Sequence, residues 1–169
     1  EVLKMSDKLF CFQCEQTAGC TGCTGNAGVC GKTADVAGLQ DELTGALIGL
    51  ARAASGNAPS PSTHQAMIEG LFTTVTNVNF NEETIRQQIE NVTREKNALI
   101  PGCAQPCGRT EDYDMGLLWN ADEDIRSLKS LILFGLRGMA AYAYHAMVLG
   151  YSDEEVNTFF YEGMFAIGE

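Results

Sequence analysis

Five cysteines lie between positions 11 and 30, and their type and spacing point to chemistry more directly than any other residues in the chain. They are Cys11, Cys14, Cys20, Cys23 and Cys30. The same stretch is rich in glycine and threonine and almost lacks large apolar side chains, so it cannot fold around a hydrophobic core of its own. Clustered thiols in such a loop indicate that a metal or disulfides hold it together.

The cysteine spacing favours an iron–sulfur site. Cys11-x2-Cys14 lets two sulfurs reach one metal centre, and later cysteines can complete the four thiolates that hold an iron–sulfur cluster. We prefer Cys11, Cys14, Cys23 and Cys30 as the ligands, which leaves Cys20 as a spare thiol. The intervening glycines permit positive φ and close approach of the backbone, so backbone N–H groups can point at the cluster.

Two other interpretations remain open from the spacing alone. Cys11, Cys14, Cys20 and Cys23 form two CxxC pairs, which is a zinc pattern, although their five-residue spacer is shorter than the roughly 12–20 residues usual in zinc modules. A disulfide framework needs an oxidising compartment, and no secretory signal precedes the loop. We therefore expect reduced thiols and a cytoplasmic protein.

Length and composition predict a soluble globular chain. Its 169 residues suffice for a hydrophobic core, and the 45% hydrophobic and 20% charged content is ordinary. The formal net charge of −11 argues against binding to nucleic acid or to an anionic membrane surface. No run of 18 apolar residues is present, so we expect no membrane span.

Hydrophobic periodicity after the loop predicts an all-α fold with three helices in a small bundle. Apolar residues recur at spacings of three and four from Ala34 to Ala53, and Thr33 or Asp35 can cap the start of that helix. A second helix is predicted over about 63–76. A third follows Asn81 as N-cap and extends to about residue 97. Residues 98–121 are predicted to be an irregular connection.

Two further helices are predicted in the last third of the chain. Asp122-Glu-Asp124 opens the longest, to about residue 149, and its apolar residues cover so many sides that it should be largely buried. Ser152-Asp-Glu-Glu155 resembles a capping box for the last helix. That helix carries Phe159, Phe160 and Phe165, which we expect to form an exposed aromatic face that binds a partner or a second copy.

The remaining candidate residues are interpreted as structural. Cys103-x3-Cys107 has no other ligand cluster nearby in sequence, and we read it as two loop thiols. His64 and His145, the only histidines, are also isolated from other ligands, so packing roles are favoured. Trp119 is expected to pack in the core.

Several motifs resemble those of the hybrid cluster proteins, also called prismane proteins or hydroxylamine reductases. The first is Phe10-Cys-Phe-Gln-Cys-Glu-Gln-Thr17, followed by Gly28-Val-Cys-Gly-Lys-Thr33. The others are Leu39-Gln-Asp-Glu-Leu43, Thr74-x-Thr-Asn-Val-Asn-Phe80, Asp124-Ile-Arg-Ser-Leu128 and the stretch from Gly135 to Gly150. They follow the family's order over most of residues 9–169.

The resemblance implies a cofactor, a reaction and a domain organisation. Four N-terminal cysteines, here Cys11, Cys14, Cys23 and Cys30, would bind a 4Fe-4S cluster, or a 2Fe-2S cluster as in some members. That cluster would pass electrons to a hybrid 4Fe-2O-2S cluster in later domains, which this sequence does not include. The implied reaction reduces hydroxylamine to ammonia, with nitric oxide as an alternative substrate, and we expect this chain alone to be inactive.

The implied organisation has four parts. Residues 1–10 form a tail, residues 11–33 the cysteine-rich loop, and residues 34–121 the three-helix bundle with its irregular connection. Residues 122–169 are the first helices of a second, incomplete bundle. The expected partners are the remaining domains of the hybrid cluster protein and a redox donor protein.

Two functions outside electron transfer are kept as alternatives. One is a zinc-stabilised helical interaction module. The other is a redox sensor in which Cys20 forms a reversible disulfide when the cluster is lost.

Overall fold

A computed structural model of the chain describes residues 8–14, 21–100 and 110–169. Within these ranges all regular secondary structure is helical apart from an isolated antiparallel β-bridge between Cys11 and Cys23, so the all-α prediction is confirmed. The helices are α1 (Ala34–Ala54), α2 (Pro61–Thr73), α3 (Glu82–Leu99), α4 (Met115–Trp119), α5 (Glu123–Val148) and α6 (Glu154–Gly168). Cys20, which belongs only to the alternative zinc set, and the loop cysteines Cys103 and Cys107 lie outside the described residues.

Side-chain caps fix the starts of the first three helices. The Thr33 hydroxyl accepts a hydrogen bond from the Val36 N–H at 3.2 Å, and the Asn81 side chain accepts from the Thr84 N–H at 3.0 Å. Both caps were predicted. The second helix begins earlier than predicted, at Pro61, because Ser60 caps it and proline is well tolerated in the first turn.

Helix α1 is the centre of the fold. It packs against α2, α3 and α6, and its leucines at 43, 47 and 50 are completely buried. Residues before α4 also press on α1. The Tyr113 N–H donates to the Gly45 carbonyl at 3.1 Å, and a Cβ built at Gly45 would overlap the carbonyl oxygen of Tyr113. Glycine at this position therefore permits a close approach between the two backbones.

The predicted irregular connection contains a short helix that periodicity missed. Helix α4 has only five residues, too few to show an amphipathic repeat, and Asp114 caps it by accepting from the Gly116 N–H at 2.8 Å. It carries Leu118 and Trp119 into the core. The Trp119 ring lies 5.6 Å from the Phe12 ring, which confirms its predicted packing role.

The prediction that α5 is largely buried is wrong for this chain. Only Leu133, Leu136, Arg137 and Ala140 of this helix are buried. The opposite side exposes large apolar residues, including Leu128, Leu131 and Tyr142. In length and apolar composition α5 could also cross a membrane, a property shared with core helices of many soluble proteins, so the absence of a membrane span remains a prediction.

The aromatic residues of α6 do not form one exposed face as predicted. Phe160 is completely buried, Phe165 packs against the core, and Phe159 is half exposed. The reason is that α6 lies along α1, so one side of the helix turns inward. Asp153 caps α6 by accepting from the Val156 N–H at 3.0 Å. Residues of α1, α5 and α6 share one hydrophobic core, and a domain division at residue 122 remains a prediction.

Candidate metal centre

Two of the predicted ligands are paired across the cysteine-rich loop. The Cys11 N–H donates to the Cys23 carbonyl at 3.0 Å, and the Cys23 N–H donates to the Cys11 carbonyl at 2.8 Å. The neighbouring Leu9 N–H donates to the Gly25 carbonyl at 3.2 Å. Leu9, Cys11, Cys23 and Ala37 form a small buried cluster, so these two cysteines are fixed against the start of α1.

Glycine makes this pairing possible. Gly22 has φ +85°, a region that side-chain-bearing residues rarely adopt, and a Cβ there would lie 3.2 Å from the Cys11 carbonyl oxygen. A second turn follows, in which the Gly31 N–H donates to the Gly28 carbonyl at 2.9 Å and Gly31 has φ +86°. Cys30 lies inside this turn. Tight turns therefore set the positions of the third and fourth cysteines.

Four cysteines line one cavity of about 220 Å³. All four are free thiols; those of Cys11 and Cys23 are buried, whereas Cys14 and Cys30 are half-buried. The wall of the cavity consists of Cys11, Gln13, Cys14, Cys23, Gly28, Val29, Cys30, Lys32, Thr76 and Asn77. The preferred ligand set from the sequence thus lies around a single space.

The positions of the four cysteines indicate whether a single metal ion or an iron–sulfur cluster would fit between them. In the described part of the chain, no three side chains of histidine, cysteine, aspartate or glutamate are placed to hold a single metal ion. A cluster makes a different demand, because its thiolates bind different irons and need not converge on one point. Four cysteine sulfurs on the wall of one cavity, with backbone turns around them, suit an iron–sulfur cluster. The zinc set that includes Cys20 lies partly outside the described residues.

A buried polar network lies directly behind the loop. Lys32 is 2% exposed, and its ammonium donates to Gln13 Oε1 at 2.5 Å and to Gln40 Oε1. The Gln13 amide in turn donates to Asp41 Oδ1 at 2.5 Å and to the Ala37 carbonyl at 3.1 Å. Gln13 therefore connects the cysteine loop to two successive turns of α1.

Arg137 of α5 completes the network from the other side. Its guanidinium, in a residue only 4% exposed, donates to the Gln13 carbonyl at 3.1 Å. It also donates to the hydroxyls of Thr44 at 3.1 Å and Thr74 at 2.9 Å. Burial lowers the pKa of Arg137 to about 10, against the opposing effect of Asp41, so the side chain stays cationic near neutral pH.

Burial also raises the pKa values of two acidic groups near the loop. It raises the pKa of Asp41 from 3.8 to about 6, although the hydrogen bond from Gln13 and the charges of Arg137 and Lys32 act in the opposite direction. Burial raises the pKa of the Cys11 thiol, while the Lys32 charge lowers it. The cysteine loop therefore contacts a desolvated environment with two cations and one carboxyl group.

The sequence alone did not single out Gln13, Lys32, Asp41 or Arg137. A signal was present, because each of the four lies within a stretch that resembles the hybrid cluster proteins. The histidines are placed elsewhere. His64 packs edge-on against Tyr161 with ring centroids 5.6 Å apart, His145 lies against Phe72, and neither lines the cysteine cavity.

Residues 9–169 match the Prismane/CO dehydrogenase family, and the chain belongs to that family. The match covers the cysteine loop and every helix described above.

Similar proteins carry a more specific name. The chain is 41% identical to the hydroxylamine reductase of Porphyromonas gingivalis (strain ATCC 33277), over 92% of this chain and 32% of that protein. It is 39% identical to the hydroxylamine reductase of Clostridium perfringens (strain 13), over 94% of this chain and 33% of that protein. The corresponding protein of Caldanaerobacter subterraneus is 37% identical over 90% of this chain. The chain spans about a third of the length of these relatives.

Proposed function

We propose that the cysteine loop binds an iron–sulfur cluster through Cys11, Cys14, Cys23 and Cys30 and that the chain serves as an electron-transfer unit. The observation that carries this proposal is the placement of all four thiols on the wall of one cavity in a chain of the Prismane/CO dehydrogenase family. We favour a 4Fe-4S cluster, with 2Fe-2S as the alternative. When bound, the cluster supplies storage for a single electron.

The protein residues hold and insulate this site. Two backbone hydrogen bonds between Cys11 and Cys23 fix two of the proposed ligands before any metal binds, and the Gly28–Gly31 turn holds the fourth. Leu9 and Ala37 cover the buried side of the bridge, while Cys14 and Cys30 remain half-buried. Electrons can therefore enter or leave through the more exposed side of the cavity.

We further propose that the chain acts as part of a hydroxylamine reductase, as its relatives are named. In that reaction, hydroxylamine takes up two electrons and two protons and yields ammonia and water. Electrons from a redox donor protein would pass through the cysteine loop to a hybrid 4Fe-2O-2S cluster in further domains. This chain alone should not turn over hydroxylamine, and a measurable rate from it would contradict that expectation. The reduced thiols of the proposed site suit a cytoplasmic protein.

Cysteine variants test the ligand assignment. Cys30→Ala should lose the brown colour, iron and acid-labile sulfide of anaerobically purified protein. Cys20→Ala is the matched control and should keep all three, because we assign it no ligand role. Loss of bound metal in Cys20→Ala with retention in Cys30→Ala would contradict the assignment and favour the set Cys11, Cys14, Cys20 and Cys23.

An interaction module remains the second candidate function, and the exposed side of α5 favours it. Leu128, Leu131 and Tyr142 are each more than half exposed on that helix. We propose that the remaining domains of the full protein cover this side, with self-association of the chain as the alternative occupant. Colourless protein containing one zinc and no sulfide would favour the interaction module over electron transfer.

A further inference from the structure

Three ionisable side chains are desolvated together behind the cysteine loop, and the electron-transfer proposal does not yet use them. We call Lys32, Asp41 and Arg137 the buried charge set. Lys32 and Arg137 are 2% and 4% exposed, and Gln13 contacts all three residues. With Asp41 ionised, the set carries two positive charges and one negative charge.

Such an arrangement is costly unless another anion lies nearby. Buried charges are normally paired, because the loss of hydration outweighs any single hydrogen bond. Here one carboxylate cannot neutralise two cations, and within residues 8–14, 21–100 and 110–169 the other partners of Lys32 and Arg137 are neutral amide, carbonyl and hydroxyl oxygens. Among the described residues, an excess positive charge is therefore buried next to the cysteine cavity.

The cysteine cavity is the place where a compensating anion fits. Lys32 lines this cavity together with the four cysteines. Arg137 reaches the loop from α5 by donating to the carbonyl of Gln13, which lies between Cys11 and Cys14. Four thiolates outweigh the positive charge of an iron–sulfur core, so the loaded site is net negative and gains one further negative charge on reduction.

We propose that the buried charge set controls the reduction potential of the cluster held by the cysteine loop: Lys32 and Arg137 raise the potential, Asp41 lowers it, and Gln13 fixes their positions. This inference rests on the proposed function. Lys32, Asp41 and Arg137 are positioning residues that do not bind the metal. In a low-dielectric environment the two cations attract the cluster and the Asp41 carboxylate repels it, and both effects grow on reduction because the reduced state carries more negative charge than the oxidised state.

A purely structural role for the network makes a different prediction. If these residues only hold the loop against α1 and α5, then removing any of them loosens the site in the same way. An electrostatic role instead requires opposite signs for a cation and an anion. The direction of the shift in potential therefore separates the two roles, whatever the loss of stability.

The test is a redox titration of the full chain with dithionite as the electron donor, at pH 8, where Asp41 is ionised. Lys32→Met should lower the ratio of reduced to oxidised cluster at a given solution potential about tenfold, which is 59 mV for a one-electron couple. Asp41→Asn should raise that ratio by several-fold. Lys32→Arg, which keeps the charge, should stay close to wild type. The control is Arg94→Met, which removes an exposed charge on α3 and should change little because solvent screens it.

The outcomes separate this inference from the proposed function. Iron and sulfide content is measured first, and wild-type protein without either would overturn both. Normal clusters with unshifted potentials, or shifts of the same sign in Lys32→Met and Asp41→Asn, would overturn only the control of potential. If Lys32→Met does not fold, Asp41→Asn decides alone, because asparagine can keep the hydrogen bond from Gln13. A raised potential in this variant supports the proposal, and an unchanged or lowered one refutes it.

Discussion

Asp41 should make the metal-free protein less stable as the pH rises through the weakly acidic range. Burial raises the pKa of this carboxyl group from 3.8 to about 6. Between these two values the folded state binds more protons than the unfolded state. The free energy of unfolding must then fall as the pH rises, because its slope follows the number of protons bound by the unfolded state minus the number bound by the folded state.

The size of the effect follows from the pKa change. Each pKa unit corresponds to 1.36 kcal/mol, so a change from 3.8 to about 6 amounts to about 3 kcal/mol at most. Below about pH 3.8 the group is protonated in both states, so the contribution of Asp41 to the free energy of unfolding is fully retained. Above about pH 6 that contribution is lost. Asp41→Asn has no ionisable group at this position and should not show this loss.

The assay is urea denaturation of iron-free, reduced protein followed by helical circular dichroism between pH 4 and pH 7.5. Effects of other carboxyl groups cancel when wild type is compared with Asp41→Asn at each pH. We expect the variant to gain up to about 3 kcal/mol relative to wild type across this range. Parallel profiles would refute the reasoning. A wild type that gains on the variant as the pH rises would show that Lys32 and Arg137 outweigh the cost of burial.

Two other predictions concern packing and thiol access. Gly45→Ala should destabilise the protein by about 1–3 kcal/mol, because its Cβ would overlap a backbone carbonyl. Gly135→Ala has open space among the described residues and should be neutral or slightly stabilising. The urea midpoints of the two variants check this, and equal midpoints would contradict the close approach at α1. In metal-free protein, iodoacetamide should modify Cys14 before Cys11, because Cys11 is only 6% exposed and burial raises its pKa. Peptide mass spectrometry over time gives the order of modification. Faster modification of Cys11 would show that the backbone pairing of Cys11 with Cys23 does not persist without metal.

Local signals explain what could be predicted from the sequence. The caps at Thr33 and Asn81 depend on residues within one helical turn, so the starts of α1 and α3 could be predicted from the sequence. The cysteine spacing is also local, and it singled out the four thiols that the structure places around one cavity. Whether they bind a cluster stays a prediction.

Long-range packing explains what the sequence did not reveal. Arg137 contacts Gln13 across 124 positions of sequence, and no periodicity or spacing rule connects the two residues. Phe160 was expected on an exposed face because the partner of α6 was unknown, and that partner is α1. Helix α5 was expected to be buried and is exposed on one side, because an apolar surface on a helix does not show whether a neighbour covers it.

The most direct test of the account is the iron and acid-labile sulfide content of anaerobically purified wild-type chain, with zinc measured in the same sample. Binding of a cluster by the cysteine loop predicts about four irons and four sulfides for each chain, or about two of each for the smaller cluster, and no stoichiometric zinc. One zinc for each chain without sulfide would contradict the electron-transfer function and leave the interaction module as the remaining explanation of the cysteine loop.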